Sequence, residues 1–235
     1  MSRSNEALIA IDGPSASGKS TVSRMVAQEL KFTYVDSGSL YRGITWKALM
    51  AGVSTHDGSA VLAMLDGIRV DFHVHHHAVQ FTIDGDDPGP ALRSESVVER
   101  VSDIAAIPEV RAYVVRILQG MASLGQVVME GRDIGTVVFT HTPFKYYLDA
   151  DPDERARRRH RELEDRPGSG DFHRVIESLR RRDAKDATRK IAPLQIAENA
   201  RVINTTKMSI DEVVRLIVGE VKAAGAGEQG IERRE

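Results

Sequence analysis

The segment Gly13-Pro14-Ser15-Ala16-Ser17-Gly18-Lys19-Ser20, followed by Thr21, fits the pattern G-x-x-x-x-G-K-[ST] in full. The pattern describes a phosphate cradle. Its glycines let backbone N–H groups point at phosphate oxygens without side-chain obstruction, and a helix starting there adds the partial positive charge of its N-terminus. Lys19 can then reach the β- and γ-phosphates of a bound nucleotide, and the Ser20 hydroxyl can ligate Mg²⁺. This is the strongest chemical signal in the chain.

Cations supply the second signal. Arginine is concentrated between residues 155 and 189, and Arg155, Arg158 and Arg159 share one helical face by their i, i+3 and i+4 spacing. Beside a phosphate cradle, such a face can clamp a phosphoryl group in transfer, where negative charge spreads over the equatorial oxygens. The plainer alternative is a solvated helix whose arginines pair with Glu154, Glu162, Glu164 and Asp165. The run Gly168-Ser169-Gly170 reads as the tip of a lid formed by this region. Arg42 and Arg132 each follow a predicted strand, which raises them above isolated surface arginines.

The elements that must position these groups are legible from periodicity. A short apolar strand is expected over 8–12, then the loop, then an amphipathic helix over 20–30 with Val22, Met25, Val26 and Leu30 on one face. A second strand is expected over 32–36 and a helix over 39–51. Alternation of Val70, Phe72 and Val74, and of Val79, Phe81 and Ile83, predicts a β-hairpin. Helical pattern follows over 94–123, interrupted at Pro108. Further strands are expected over 126–130, 144–148 and 201–203. Asp151-Pro152 starts one helix, and the capping box Ser209 to Glu212 starts a last one, ending near Val221. The Ala, Gly and charge-rich stretch over 223–235 is expected to be a disordered tail.

Strands alternating with helices predict an α/β class, a three-layer P-loop fold around a parallel five-stranded sheet. The expected division is one domain over 1–225: a core at 6–54, 108–150 and 190–222, a small β-containing insert at 55–107 and a helical lid at 153–189. Ligands bind beyond the carboxyl ends of such strands. The loops after Asp12, Asp36, Glu130 and Asp149 all belong to that edge.

Composition narrows the classes. The chain has 235 residues, is 41% apolar and 28% charged, and carries a formal net charge of −2, which argues against a general nucleic-acid binder. It contains no cysteine, which excludes disulfides, thiolate metal sites and a cysteine nucleophile. The early apolar run from Ala7 to Ile11 is too short for a signal peptide or a membrane span, so a soluble, cytoplasmic protein is expected, with no obvious interface that would make it other than a monomer. There is no N-K-x-D segment of the kind a GTPase uses to read guanine. Small-molecule kinases are the large remaining class. Adjacent histidines at His73, His75, His76 and His77 point different ways in a strand or turn, which disfavours a metal site. Trp46, Met25 and Met64 read as core.

Together the motifs resemble the bacterial-type cytidylate kinase family over roughly residues 6–221. The segments that carry the resemblance are Ile11 to Thr21, Asp36-Ser37-Gly38-Ser39-Leu40-Tyr41-Arg42, Val110-Arg111, Glu130-Gly131-Arg132-Asp133-Ile134-Gly135-Thr136, Glu154-Arg155-Ala156 with Arg158-Arg159, Arg182-Asp183 with Asp186 and Arg189, and Pro193-Leu194. The resemblance implies ATP-dependent phosphorylation of CMP, and of dCMP, in pyrimidine nucleotide metabolism, with ATP and Mg²⁺ required. It implies Ser37, Arg42, Arg132 and Arg189 around the acceptor phosphate. Ser102, Arg111 and Asp133 would stand at the cytosine edge, and Arg182 and Asp186 at the ribose. Where the family usually has Asp-Thr-Gly-Ala, this chain has Asp36-Ser37-Gly38-Ser39. A kinase for UMP, AMP or a hydroxyl acceptor, the last with Asp36 or Asp133 as base, and a non-catalytic nucleotide switch are the rival readings.

Overall fold

The computed structural model describes residues 7–164 and 172–231. The strands are β1 (Leu8–Asp12), β2 (Thr33–Asp36), β3 (Val70–His75), β4 (Ala78–Ile83), β5 (Val127–Gly131), β6 (Phe144–Asp149) and β7 (Arg201–Asn204). Those at the centre, β1, β2 and β5, are largely buried, as a sheet covered on both faces requires. The helices are α1 (Lys19–Leu30), α2 (Ser37–Met50), α3 (Gly58–Gly67), α4 (Glu95–Ile104), α5 (Pro108–Gly120), α6 (Pro152–Glu164), α7 (Phe172–Thr188) and α8 (Ile210–Ile231).

The sheet order is β3-β4-β2-β5-β1-β6-β7. Five of these, β2-β5-β1-β6-β7, pair in parallel throughout. The expectation of a five-stranded sheet is therefore corrected to seven. The expected hairpin β3–β4 forms, but it is an extension of the main sheet rather than a separate layer. Tyr34 at the centre of β2 pairs with Ala78, and its N–H donates to the His77 carbonyl at 2.7 Å. The hairpin closes through His76 and His77, both at positive φ (46° and 57°), the backbone of a tight two-residue turn.

Pleating sorts the strand residues onto two faces. Ile9, Ile11, Val128, Leu148 and Ile203 pack with Val22 and Val26 of α1 and with Val213, Ile217 and Val221 of α8. Ala10, Val35, Val127 and Met129 face the other way, toward α2, α4 and α5, among them Ile44, Ile104, Val114 and Leu118. Three layers result. Trp46 and Met64 pack against the second cluster and Met25 against the first, in keeping with a core role. The helix pair α6–α7 buries a small core of its own, Ala156, Val175 and Leu179, on which Ala16 of the glycine-rich loop rests.

Local signals set most helix starts. Asp36 caps α2 by accepting from Ser39 N–H at 3.0 Å. The Asp151 carboxylate accepts from Asp153 N–H at 2.9 Å where α6 begins. Ser209 and Glu212 form the expected capping box, Ser209 N–H donating to Glu212 Oε2 at 2.7 Å and Glu212 N–H to Ser209 Oγ at 3.3 Å. Helix α3 was not expected, although its cap was visible: Asp57 accepts from Ala60 N–H at 3.0 Å, and Val61 and Leu65 share its buried face. Helix α8 runs past its expected end near Val221 to Ile231, Ala223 and Ala224 favouring helix once a capped amphipathic start exists. The Gly168-Ser169-Gly170 lid tip lies outside the described residues. No helix among the described residues is long and apolar enough to cross a membrane.

Candidate active site

β1 ends at Asp12, and the chain turns directly into the glycine-rich loop. A side chain at Gly13 is impossible there: φ is +152° and a Cβ would stand 2.1 Å from the Leu148 carbonyl oxygen of the neighbouring strand β6. Gly18, at φ +91°, brings the chain into α1. Lys19 is buried, and its Nζ donates to the Pro14 carbonyl at 2.9 Å. Thr205, just beyond β7, donates to the Ser17 carbonyl at 3.1 Å and closes the loop from behind.

The neighbouring strand ends converge on the same edge. Glu130, near the end of β5, is buried and accepts from Ser20 Oγ at 2.8 Å and from Tyr34 OH at 2.7 Å. Ser37 Oγ donates to the Glu130 carbonyl at 2.7 Å. Asp36 pairs with Arg42 at 2.6 Å. The segment after β5 is held by Asp12, whose two carboxylate oxygens accept from the N–H groups of Ile134 (2.9 Å) and Gly135 (2.8 Å). That grip forces the chain through Arg132 and Asp133 across the sheet edge. Asp133 ion-pairs with Arg111 of α5, and both are buried. Arg132 donates to Asp186 of α7 at 3.0 Å, and Arg189 lies 3.8 Å from Asp186 and 4.0 Å from Asp133.

A cleft of about 410 Å³ gathers these groups. It is lined by Ser15, Ala16, Gly18, Lys19, Ser20 and Thr21 on one side. On the other stand all nine residues expected around the acceptor: Ser37, Arg42, Ser102, Arg111, Arg132, Asp133, Arg182, Asp186 and Arg189. The three lid arginines have different surroundings. Arg159 lines the cleft, paired with Glu162 at 2.9 Å. Arg155 and Arg158 turn to the back of the loop instead. Arg155 donates to the Ser15 carbonyl at 3.1 Å and pairs with Asp183; Arg158 donates to the Ser17 carbonyl at 3.4 Å and to Thr205 Oγ1 at 3.0 Å. Of the three arginines expected to form a clamp, one thus lines the cleft and two rest against the loop. One helical face is wide enough to look both ways.

Burial sets the electrostatics. Lys19 is pushed down to about 7, first by burial and next by the charge of Arg132. Arg182 is pulled down to about 10 by the same two causes. Burial raises the Glu130 carboxyl, with Asp36 adding to the effect, and raises Asp12 to about 6 against its two N–H donors. Burial opposes the charge on Asp36, but the guanidinium of Arg42 outweighs it and holds the carboxyl below its ordinary value. Three cleft cations, Arg42, Arg182 and Arg189, each keep a buried N–H with no hydrogen-bond acceptor among the described residues. A buried donor left so is costly, and an anion with several oxygens is the ligand that satisfies it.

Sequence reasoning missed Glu130, Tyr34, Asp12 and Asp183 as working parts of the site. The signal for Glu130 was its place: a carboxylate ending an apolar strand at the ligand edge. Nothing local pointed to Tyr34, whose hydroxyl finds Glu130 only because β2 and β5 are neighbours in register.

A phosphate loop facing a second, strongly basic pocket across one sheet edge is how P-loop kinases of small anionic molecules are built, and the fold and site define this class. Comparison with known proteins gives the family. The family model for cytidylate kinase matches residues 9–223. The cytidylate kinase of Geobacillus kaustophilus is 41% identical over 210 residues, covering 89% of this chain and 94% of that protein. That of Pelotomaculum thermopropionicum is 42% identical over 217 residues, covering 92% and 96%. The chain belongs to the cytidylate kinase family.

Proposed function

We propose that the protein transfers the γ-phosphoryl group of ATP to CMP, and to dCMP, giving ADP and CDP or dCDP. The observation that carries this reading is the single cleft in which a complete phosphate loop faces four cations, Arg42, Arg132, Arg182 and Arg189, beside the buried Arg111–Asp133 pair. Family membership supports the choice of base.

The chemistry needs little beyond position and charge. A nucleoside monophosphate has a second pKa near 6, so at neutral pH its phosphate is largely a dianion and attacks without a general base. That matches the state of the carboxylates. Asp36 is committed to Ser39 N–H and Arg42, and Asp133 to Arg111, so neither stands ready to deprotonate a hydroxyl. In this reading Ser37, Arg42, Arg132 and Arg189 hold the acceptor phosphate. Ser102, Arg111 and Asp133 read the cytosine edge, a carboxylate accepting from the exocyclic amine and an arginine donating to the carbonyl. Arg182 and Asp186 take the ribose. Lys19 and Arg159 face the moving phosphoryl group, while Arg155 and Arg158 hold the loop to shape. The Ser20 hydroxyl and Glu130 carboxylate, 2.8 Å apart, are hard oxygen donors suited to Mg²⁺. When bound, Mg²⁺ neutralises phosphate charge.

The insert over 55–107 and the lid over 153–189 are the parts we assign to acceptor binding and to exclusion of water. A monomer acting in the cytoplasm on these small molecules, with no nucleic acid or membrane partner, completes the proposal. A coupled ADP-release assay across CMP, dCMP, UMP, AMP and shikimate tests it. CMP gives the highest kcat/KM and shikimate gives no stimulation; a preference for any other acceptor contradicts the reading.

The depressed Lys19 yields a pH prediction. The free group loses its proton near pH 7, and a bound triphosphate raises it back toward its ordinary value. Binding of ATP above pH 7 therefore takes up a proton, and ATP affinity falls as pH rises from 7 to 9. Calorimetry at pH 8 in buffers of different ionisation heat reads the uptake directly, and Lys19→Met removes it.

A further inference from the structure

Phosphate cradling asks only for backbone N–H groups at the variable positions of the loop, so a hydroxyl at Ser15 is not required by the motif. Yet Ser15 is buried and is the point where three other elements meet the loop. Its N–H donates to Asp183 Oδ1 of α7 at 3.2 Å, and its carbonyl accepts from Arg155 Nη1 of α6 at 3.1 Å. Its hydroxyl accepts from Arg132 Nη2 at 2.8 Å, from the segment after β5. The other edge of the same guanidinium is fixed by Asp186 Oδ2, 3.0 Å from Nε. Arg132 is thus stretched between the donor loop and α7, the helix that also carries Arg182 and Asp186 into the cleft. A guanidinium is planar and donates along fixed directions, so moving Ser15 turns Arg132.

We propose that Ser15 is a positioning residue that couples the two nucleotide sites: by receiving Arg132, it ties the conformation of the donor loop to the cation that holds the acceptor phosphate. The inference rests on the ATP and CMP reading above. A phosphate chain settling on the loop N–H groups fixes residue 15, and residue 15 fixes Arg132 at the angle the acceptor needs. Each nucleotide then tightens the binding of the other by the same factor, as linkage demands.

The test is calorimetric, on the full chain. CMP is titrated with and without the Mg²⁺ complex of a non-hydrolysable β,γ-imido analogue of ATP. In the wild type the analogue tightens CMP binding about fivefold or more, within the usual range of coupling between sites. In Ser15→Ala, which keeps both backbone contacts, this factor falls at least about threefold, a larger loss than that of CMP affinity without the analogue, because Asp186 still holds Arg132. A structural loss would weaken both measurements alike. A second background fixes the route: in Arg132→Lys, adding Ser15→Ala changes the factor no further, the non-additivity expected of residues acting through one contact. An unchanged factor in Ser15→Ala, or full additivity with Arg132→Lys, overturns the inference alone. Absence of CMP binding to the wild type overturns the acceptor reading and the inference with it.

Discussion

Lys19→Ala lowers kcat by about 10³-fold, near 4 kcal/mol of transition-state stabilisation, and leaves CMP affinity within about threefold of the wild type. The argument is positional. Lys19 is buried at the floor of the cleft on the donor side, with its ammonium on the Pro14 carbonyl. From there the flexible four-carbon stem lets it follow the γ-phosphoryl group as bonding shifts from one oxygen to the next. The acceptor keeps its own cations, Arg42, Arg132 and Arg189, none of which hydrogen-bonds Lys19. Removing a cation already driven down to about 7 by burial and by Arg132 relieves a strained charge, so folding stability is not expected to fall with activity. Single-turnover kinetics and CMP calorimetry check the split. An equal loss of CMP affinity would contradict the assignment of Lys19 to the donor half.

Asp133→Asn narrows the CMP-over-UMP preference in kcat/KM by roughly 10²-fold, through gain with UMP as well as loss with CMP. The carboxylate can only accept, which suits the exocyclic amine of cytosine and repels the carbonyl oxygen that uracil presents at the same position. An amide of the same shape can rotate and donate. Asp133 is only 7% and Arg111 3% exposed at their side chains, so neither is rescued by water when its partner changes. Arg111 is steadied further by the Ala105 carbonyl at 3.3 Å and by the Tyr41 ring at 5.6 Å. Neutralising Asp133 leaves the Arg111 charge, with Arg189 close by, without its counter-ion, at about 3 kcal/mol of unfolding free energy. Urea unfolding measures that cost separately from acceptor kinetics. If the CMP-to-UMP ratio survives the substitution, Asp133 does not read the base.

The sequence by itself determined the local backbone. The phosphate loop between β1 and α1, the helix starts at Asp151 and Ser209 and the hairpin follow from interactions a few residues apart, and a single chain states these openly. The residues of the acceptor pocket were reached through the family resemblance rather than through spacing, since Ser37, Arg111, Asp133 and Asp186 are distant in the chain and meet only at the sheet edge. Tertiary structure alone decided the rest. It added the hairpin to the sheet through one pairing at Tyr34, and it set Tyr34 and Ser20 on the two oxygens of Glu130. It also divided the lid arginines, Arg159 to the cleft and Arg155 with Arg158 to the back of the loop. The reason is geometric. Periodicity tells which residues share a face, but what that face meets depends on the packing of elements far apart in sequence. The phosphate loop was therefore legible as a motif, whereas its attachment through Ser15 to the acceptor cation Arg132 could be seen only in three dimensions.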